Sequence, residues 1–198
     1  MNPIPDNLSQ VRRRIKTACI EHQRDHRSIN LIAVSKTKSV ADVASVFEAG
    51  QLHFGENYLQ EAALKVAALP AAHWHFIGAI QSNKTRVIAE KFSYVHCVSN
   101  FKIAKRLNDH RPASLEPLGI FFQVNIDDEA TKSGASAELL YDLVKACSNL
   151  PQLSLMGLMA IPRPSLDFQE QRAGFRKLAL LRQSISNQLD LTGFTELS

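Results

Sequence analysis

Asn30-Leu31-Ile32-Ala33-Val34-Ser35-Lys36 is a short, nearly unbroken apolar run that ends on a cation. Such a run reads as a strand buried on both faces, the habit of parallel sheets. Residues 41–49 follow with helical spacing, and Gly50 stands where a helix C-terminus needs a residue free to turn left-handed. Strand, then helix, then glycine is the repeating unit of an α/β fold, and the remaining sequence repeats it. Further strands are predicted at 53–57, 73–79, 94–99, 118–126, 153–161 and 195–198. Helices are predicted at 58–69, 83–92, 102–111, 136–150 and 168–189. Upstream, Leu8, Val11, Ile15, Ala18, Cys19 and His22 recur at helical spacing, with Asp6 or Asn7 placed as the cap. Seven strands therefore alternate with six helices behind one leading helix, which implies a single parallel α/β domain over 1–198. Such a domain is a closed (β/α)8 barrel or an open doubly wound sheet. Counting favours the open sheet, because the seventh strand is the last.

Composition narrows the function. Of 198 residues, 45% are apolar and 21% charged, which excludes disorder as the main state. The net charge of +4 is too mild to announce a nucleic-acid partner, and the tight run Arg12-Arg13-Arg14 with Lys16 reads as a solvated helix face. Three well-separated cysteines, Cys19, Cys97 and Cys147, form no CxxC and no even framework, as expected of a reducing cytoplasm. No apolar run approaches the roughly 18 residues of a membrane span, and 1–16 lacks the apolar stretch of a secretion signal. Neither nucleic acid nor membrane is an expected partner.

Chemistry in parallel α/β folds gathers at the carboxyl ends of the strands. Those ends carry Lys36, Asn57, Gly78 with Gln81-Ser82-Asn83, Ser99-Asn100, Asn125 and Met159-Ala160. Lys36 is the one obvious nucleophile among them. A lysine amine attacks a carbonyl only when neutral, a state favoured by burial or by a nearby cation such as Lys38; the alternative is a lysine that simply reaches solvent. His73 and His75 share a strand face but show no third metal ligand. Asp127-Asp128-Glu129 reads as a solvated turn. Ser82, Asn83 and Ser136 stand at helix starts, where anions bind but where capping asks for the same residue types. The glycines form no GxG pair, and no GxSxG occurs, so dinucleotide and esterase readings fall away.

Taken together, several segments resemble the pyridoxal phosphate homeostasis protein family. They are Ala33-Val34-Ser35-Lys36-Thr37-Lys38, Phe54-Gly55-Glu56-Asn57-Tyr58, Trp74-His75-Phe76-Ile77-Gly78, Gln81-Ser82-Asn83-Lys84, Lys132-Ser133-Gly134 and Gly157-Leu158-Met159-Ala160-Ile161-Pro162. They keep the family's order along nearly the whole chain. The resemblance implies a (β/α)8 barrel like the N-terminal barrel of alanine racemase, which reverses the preference for an open sheet. It also implies that Lys36 holds pyridoxal 5′-phosphate as a reversible Schiff base, with Asn57 and Met159 beside the cofactor. A non-catalytic role in cofactor homeostasis follows, with apo-enzymes as recipients and a monomer or weak dimer as the assembly.

Lys38 and Lys132 are candidate secondary amines. The alternative activity, racemisation on the same barrel, needs a second proton-transferring group opposite the lysine, and Tyr58, Tyr94 and Tyr141 have no second domain to present one. A Schiff-base aldolase would need a strand-end carboxylate, of which Glu56 is nearly the sole example. Members of the family continue past the seventh strand with a further helix and an eighth strand, whereas this sequence ends at Glu196-Leu197-Ser198. The expectation is a barrel lacking those two elements, with a looser grip on phosphate, since barrel phosphate cups form after strands seven and eight.

Overall fold

The computed structural model describes residues 4–127 and 134–198. The chain divides into two compact units, one ending at His75 and the other running from Phe76 to Ser198. Residues 128–133, which include Asp128, Glu129, Lys132 and Ser133 of the candidate segments, lie outside the described residues.

The first unit opens with α1 (Ile4–Glu21). It starts before Asp6, so Asp6 and Asn7 sit in its first turn and neither is the cap. Pro5, with its fixed φ and no N–H to lose, suits a helix start, and Asp6 favours the positive end of the helix dipole. Next come β1 (Ala33–Val34), α2 (Val40–Glu48), β2 (His53–Glu56), α3 (Leu59–Ala68) and β3 (His73–Phe76), whose last residue begins the second unit. β1 is much shorter than the apolar run predicted. The buried Gln51 side chain explains why: its amide donates to Leu31 O at 2.6 Å and His53 O at 2.8 Å, and so takes a carbonyl that a ladder would have used. α2 begins with a complete capping box between Ser39 and Asp42. It ends as expected before Gly50, at φ +82°. Phe54 and Trp74, rings 5.5 Å apart, pack in the core of this unit with Val43, Val46 and Ala62.

The second unit carries α4 (Thr85–Lys91), β4 (Tyr94–Val98), α5 (Phe101–His110), β5 (Leu118–Gln123), α6 (Ala137–Cys147), β6 (Leu153–Met159), α7 (Phe168–Leu189) and β7 (Glu196–Leu197). Its strands lie side by side in chain order and pair in parallel, β4 to β5, β5 to β6 and β6 to β7. β5 is central, and Leu118, Ile120 and Phe122 are fully buried with Ile88, Leu107, Leu140, Leu158 and Phe194. The last strand lies flush on β6 because Gly157, at φ +158°, has no Cβ; one would collide with the Glu196 carbonyl.

Candidate functional site

β1 pairs with β2 in parallel, Ala33 opposite Phe54 and Val34 opposite Gly55. Ser35 N donates to Gly55 O at 2.9 Å, which carries that register one step on and sets Ser35 level with Glu56. Ser35 and Glu56 turn toward α3, where both are buried with Lys65. Lys65 Nζ donates to Ser35 O and to Glu56 Oε1, each at 2.7 Å, and Ser35 Oγ donates to the same carboxylate oxygen at 2.6 Å. Lys36 and Asn57 are the next residues along the chain, each just beyond its strand. Lys36 is exposed, and its amine has no hydrogen-bond or ion-pair partner among the described residues. Asn57 Oδ1 is buried and likewise lacks a partner there, as does Glu56 Oε2.

Lys36 lies in a turn, beyond the paired part of β1. Lys38 N donates back to Ser35 O at 3.0 Å, which closes that turn. Between them Thr37 has φ +64°, a conformation that a β-branched residue adopts at a cost of about 1–3 kcal/mol. Its N–H donates to Glu61 Oε2 at 2.9 Å, and Glu61 is itself 3.9 Å from Lys65 Nζ. Sequence reasoning missed Lys65 and Glu61, which at i and i+4 look like an ordinary exposed pair. The signal was Lys65 standing three residues after buried Ala62, on the apolar stripe of α3.

The other candidates have different surroundings. Lys38 is exposed and lines an apolar groove of about 370 Å³ between α1, β1 and α2. His75 Nε2 lies 3.0 Å from His53 Nδ1, and His53 stacks on His73 with ring centroids 4.7 Å apart. Burial, then the nearby His73 charge, lowers the His53 pKa. Among the described residues no group of three or more His, Cys, Asp or Glu is arranged to hold a metal. Ser82 and Asn83 do not open an α-helix: they form a 3-10 turn with Lys84, and α4 starts at Thr85. The Ser82 carbonyl accepts from Thr85 Oγ1 at 3.0 Å and Arg106 Nε at 2.9 Å, which accounts for the tighter turn. Ser136 does precede α6, without a side-chain capping bond. Met159, at the end of β6 in the second unit, is buried against Cys97 and Phe121. Glu56, the one strand-end carboxylate an aldolase reading had to draw on, is fully buried in its ion pair with Lys65.

Residues 7–192 match the family described as alanine racemase, N-terminal domain. The sequence is 48% identical to the pyridoxal phosphate homeostasis protein of Pseudomonas aeruginosa over 192 residues, covering 96% of this chain and 84% of that one. It is 44% identical to the protein of that name from Escherichia coli over 185 residues, covering 91% and 79%. Among solved structures, PipY of Synechococcus elongatus with PLP bound superposes at a TM-score of 0.82 and 30% identity, over 98% of this chain and 87% of that one. Alanine racemase from Corynebacterium glutamicum superposes at 0.59 with 15% identity, over 85% and 54%, a likeness of fold alone. The expected α/β class, of the alanine racemase N-terminal barrel type, is met.

Proposed function

Because this chain belongs to the alanine racemase N-terminal domain family, and within it groups with the pyridoxal phosphate homeostasis proteins, we propose that it binds pyridoxal 5′-phosphate through Lys36 and Asn57. The observation that carries this reading is a pairing of unmet needs. A lysine without a partner among the described residues and a buried amide oxygen without a donor follow two strands that pair side by side, β1 and β2. An orphaned buried acceptor costs about 1–3 kcal/mol, a cost that a donor on a bound ligand relieves. Pyridoxal phosphate brings an aldehyde that condenses reversibly with a primary amine, releasing water. Lys36 supplies an amine on an exposed turn, and Asn57 would orient a polar edge of the ring. Met159 enters on the family resemblance, at the end of β6.

The role is holding and releasing the cofactor, without turnover of an amino acid. Relatives at 43–48% identity carry the homeostasis name, and the strand-end carboxylate of Glu56 is committed to Lys65. Release to apo-enzymes follows from the reversibility of the bond. Among the described residues no helix is long and apolar enough to cross a membrane, in keeping with a cytoplasmic carrier.

Spectral titration with pyridoxal phosphate tests the assignment. The unaltered chain is expected to develop the absorbance of the covalent adduct, Lys36→Ala to lose most of it, and Asn57→Ala to bind about tenfold more weakly, as the loss of one hydrogen bond implies. Unchanged binding by Lys36→Ala would remove Lys36 from the site, and unchanged affinity in Asn57→Ala would remove Asn57.

A further inference from the structure

We propose that Lys65 and Glu61 of α3 are positioning residues for Lys36, acting through the peptide units on either side of it. This role rests on the reading that Lys36 holds the cofactor. On the N-terminal side, Ser35 is fixed at three points. Its N–H donates to Gly55 O at 2.9 Å, its carbonyl accepts from Lys65 Nζ, and its hydroxyl donates to Glu56 Oε1. On the C-terminal side, Thr37 is held in the left-handed region, with its N–H on the Glu61 carboxylate. Lys65 reaches both sides, since Glu56 and Glu61 lie 2.7 and 3.9 Å from its ammonium. These contacts fix where the Lys36 backbone leaves β1, and so leave its side chain fewer directions in which to reach.

A lysine on a loose turn still reacts with an aldehyde, but so do its neighbours, and the product exchanges faster. Restricting the backbone to one direction is what makes Lys36 the preferred amine over Lys38 two residues away. The strained φ at Thr37 gives this account a specific signature, because glycine adopts that conformation without the strain. Relaxing the strain should replace part of what Glu61 does.

The test uses the full chain and pyridoxal phosphate, with two readouts: the rate at which hydroxylamine strips the adduct, and the distribution of borohydride-fixed label among lysines. Glu61→Ala, which removes the acceptor of the Thr37 N–H at a half-exposed site, is expected to speed stripping by about tenfold and to move label from Lys36 to Lys38. Adding Thr37→Gly to Glu61→Ala is expected to return a substantial part of both. Lys65→Met is expected to act like Glu61→Ala or more strongly; if the loss of a buried ion pair prevents it from folding, Glu61→Ala with its glycine rescue decides alone. Wild-type stripping and label confined to Lys36 in Glu61→Ala would overturn the positioning role while leaving the cofactor assignment standing. Failure of the glycine rescue would reduce Glu61 to a general stabiliser and overturn it too. Absence of label on Lys36 in the unaltered chain would overturn the assignment and this role with it.

Discussion

At the scale of single residues, three polar groups carry most of what distinguishes this chain from a generic α/β domain. Lys36 is exposed and without a partner among the described residues, whereas Lys65 is buried and bonded to Ser35 O and Glu56 Oε1. On the proposed reading, the same side-chain type serves as a reactive tether in one place and as an internal brace in the other. His96 on β4 is the third. It is buried, stacked on Phe121 at 4.3 Å, with Nδ1 2.7 Å from Ser198 Oγ, and burial pushes its pKa from 6.5 down to about 4. Folding therefore favours the neutral ring, and the unfolded chain takes up its proton first as pH falls. The stability this group contributes is fully present above pH 6.5 and is lost as pH falls toward 4, by about 3 kcal/mol over that window. Urea denaturation at pH 7 and pH 4.5 should show a steeper acid loss in the unaltered chain than in His96→Gln. An equally steep loss in both would contradict the assignment.

At the scale of elements, the glycine at the β6–β7 contact is the most exacting position. Gly157→Ala places a methyl against the Glu196 carbonyl and forces a left-handed φ on alanine. The strain alone is worth about 1–3 kcal/mol, and the collision adds to it. Loss of β7 pairing is the expected outcome, read as faster hydrogen exchange at Ser198 N, which donates to Leu158 O at 2.9 Å; unchanged protection would show that the strands tolerate the methyl. Element order was legible from periodicity, and α7 has the bounds its spacing predicted, 168–189. Strand ends were not, because pairing ends a strand and hydrophobicity does not. At β1 the Gln51 side chain, 20 residues along the chain from Leu31, occupies the Leu31 carbonyl. The start of α1 differs from the sequence expectation because Asp6 and Asn7, good capping residues by type, lie inside its first turn, after Pro5. Of the proposed site, Lys36 and Asn57 stood out as the last residues of predicted strands, although β1 ends at Val34 and β2 at Glu56, and the family resemblance singled them out. Glu61 and Lys65 did not stand out, because their importance depends on which face of α3 meets the strands.

At the scale of the whole molecule, the two units divide the labour differently. The first holds Lys36, Asn57 and the network behind them. The second is the larger apolar body, built on β5 and closed by Phe194. Relatives of the same family span somewhat more sequence, this chain covering 79–84% of those compared. Ligand bound to the folded chain alone stabilises it by mass action, so pyridoxal phosphate at about a hundred times its Kd should add roughly 2.7 kcal/mol. The most direct measurement fixes the adduct on the intact protein: incubation with pyridoxal phosphate, borohydride reduction, digestion and peptide mapping by mass spectrometry. The account predicts one dominant modified peptide, with the label on Lys36. Label mainly on Lys38 or Lys132, or none on Lys36, would contradict it.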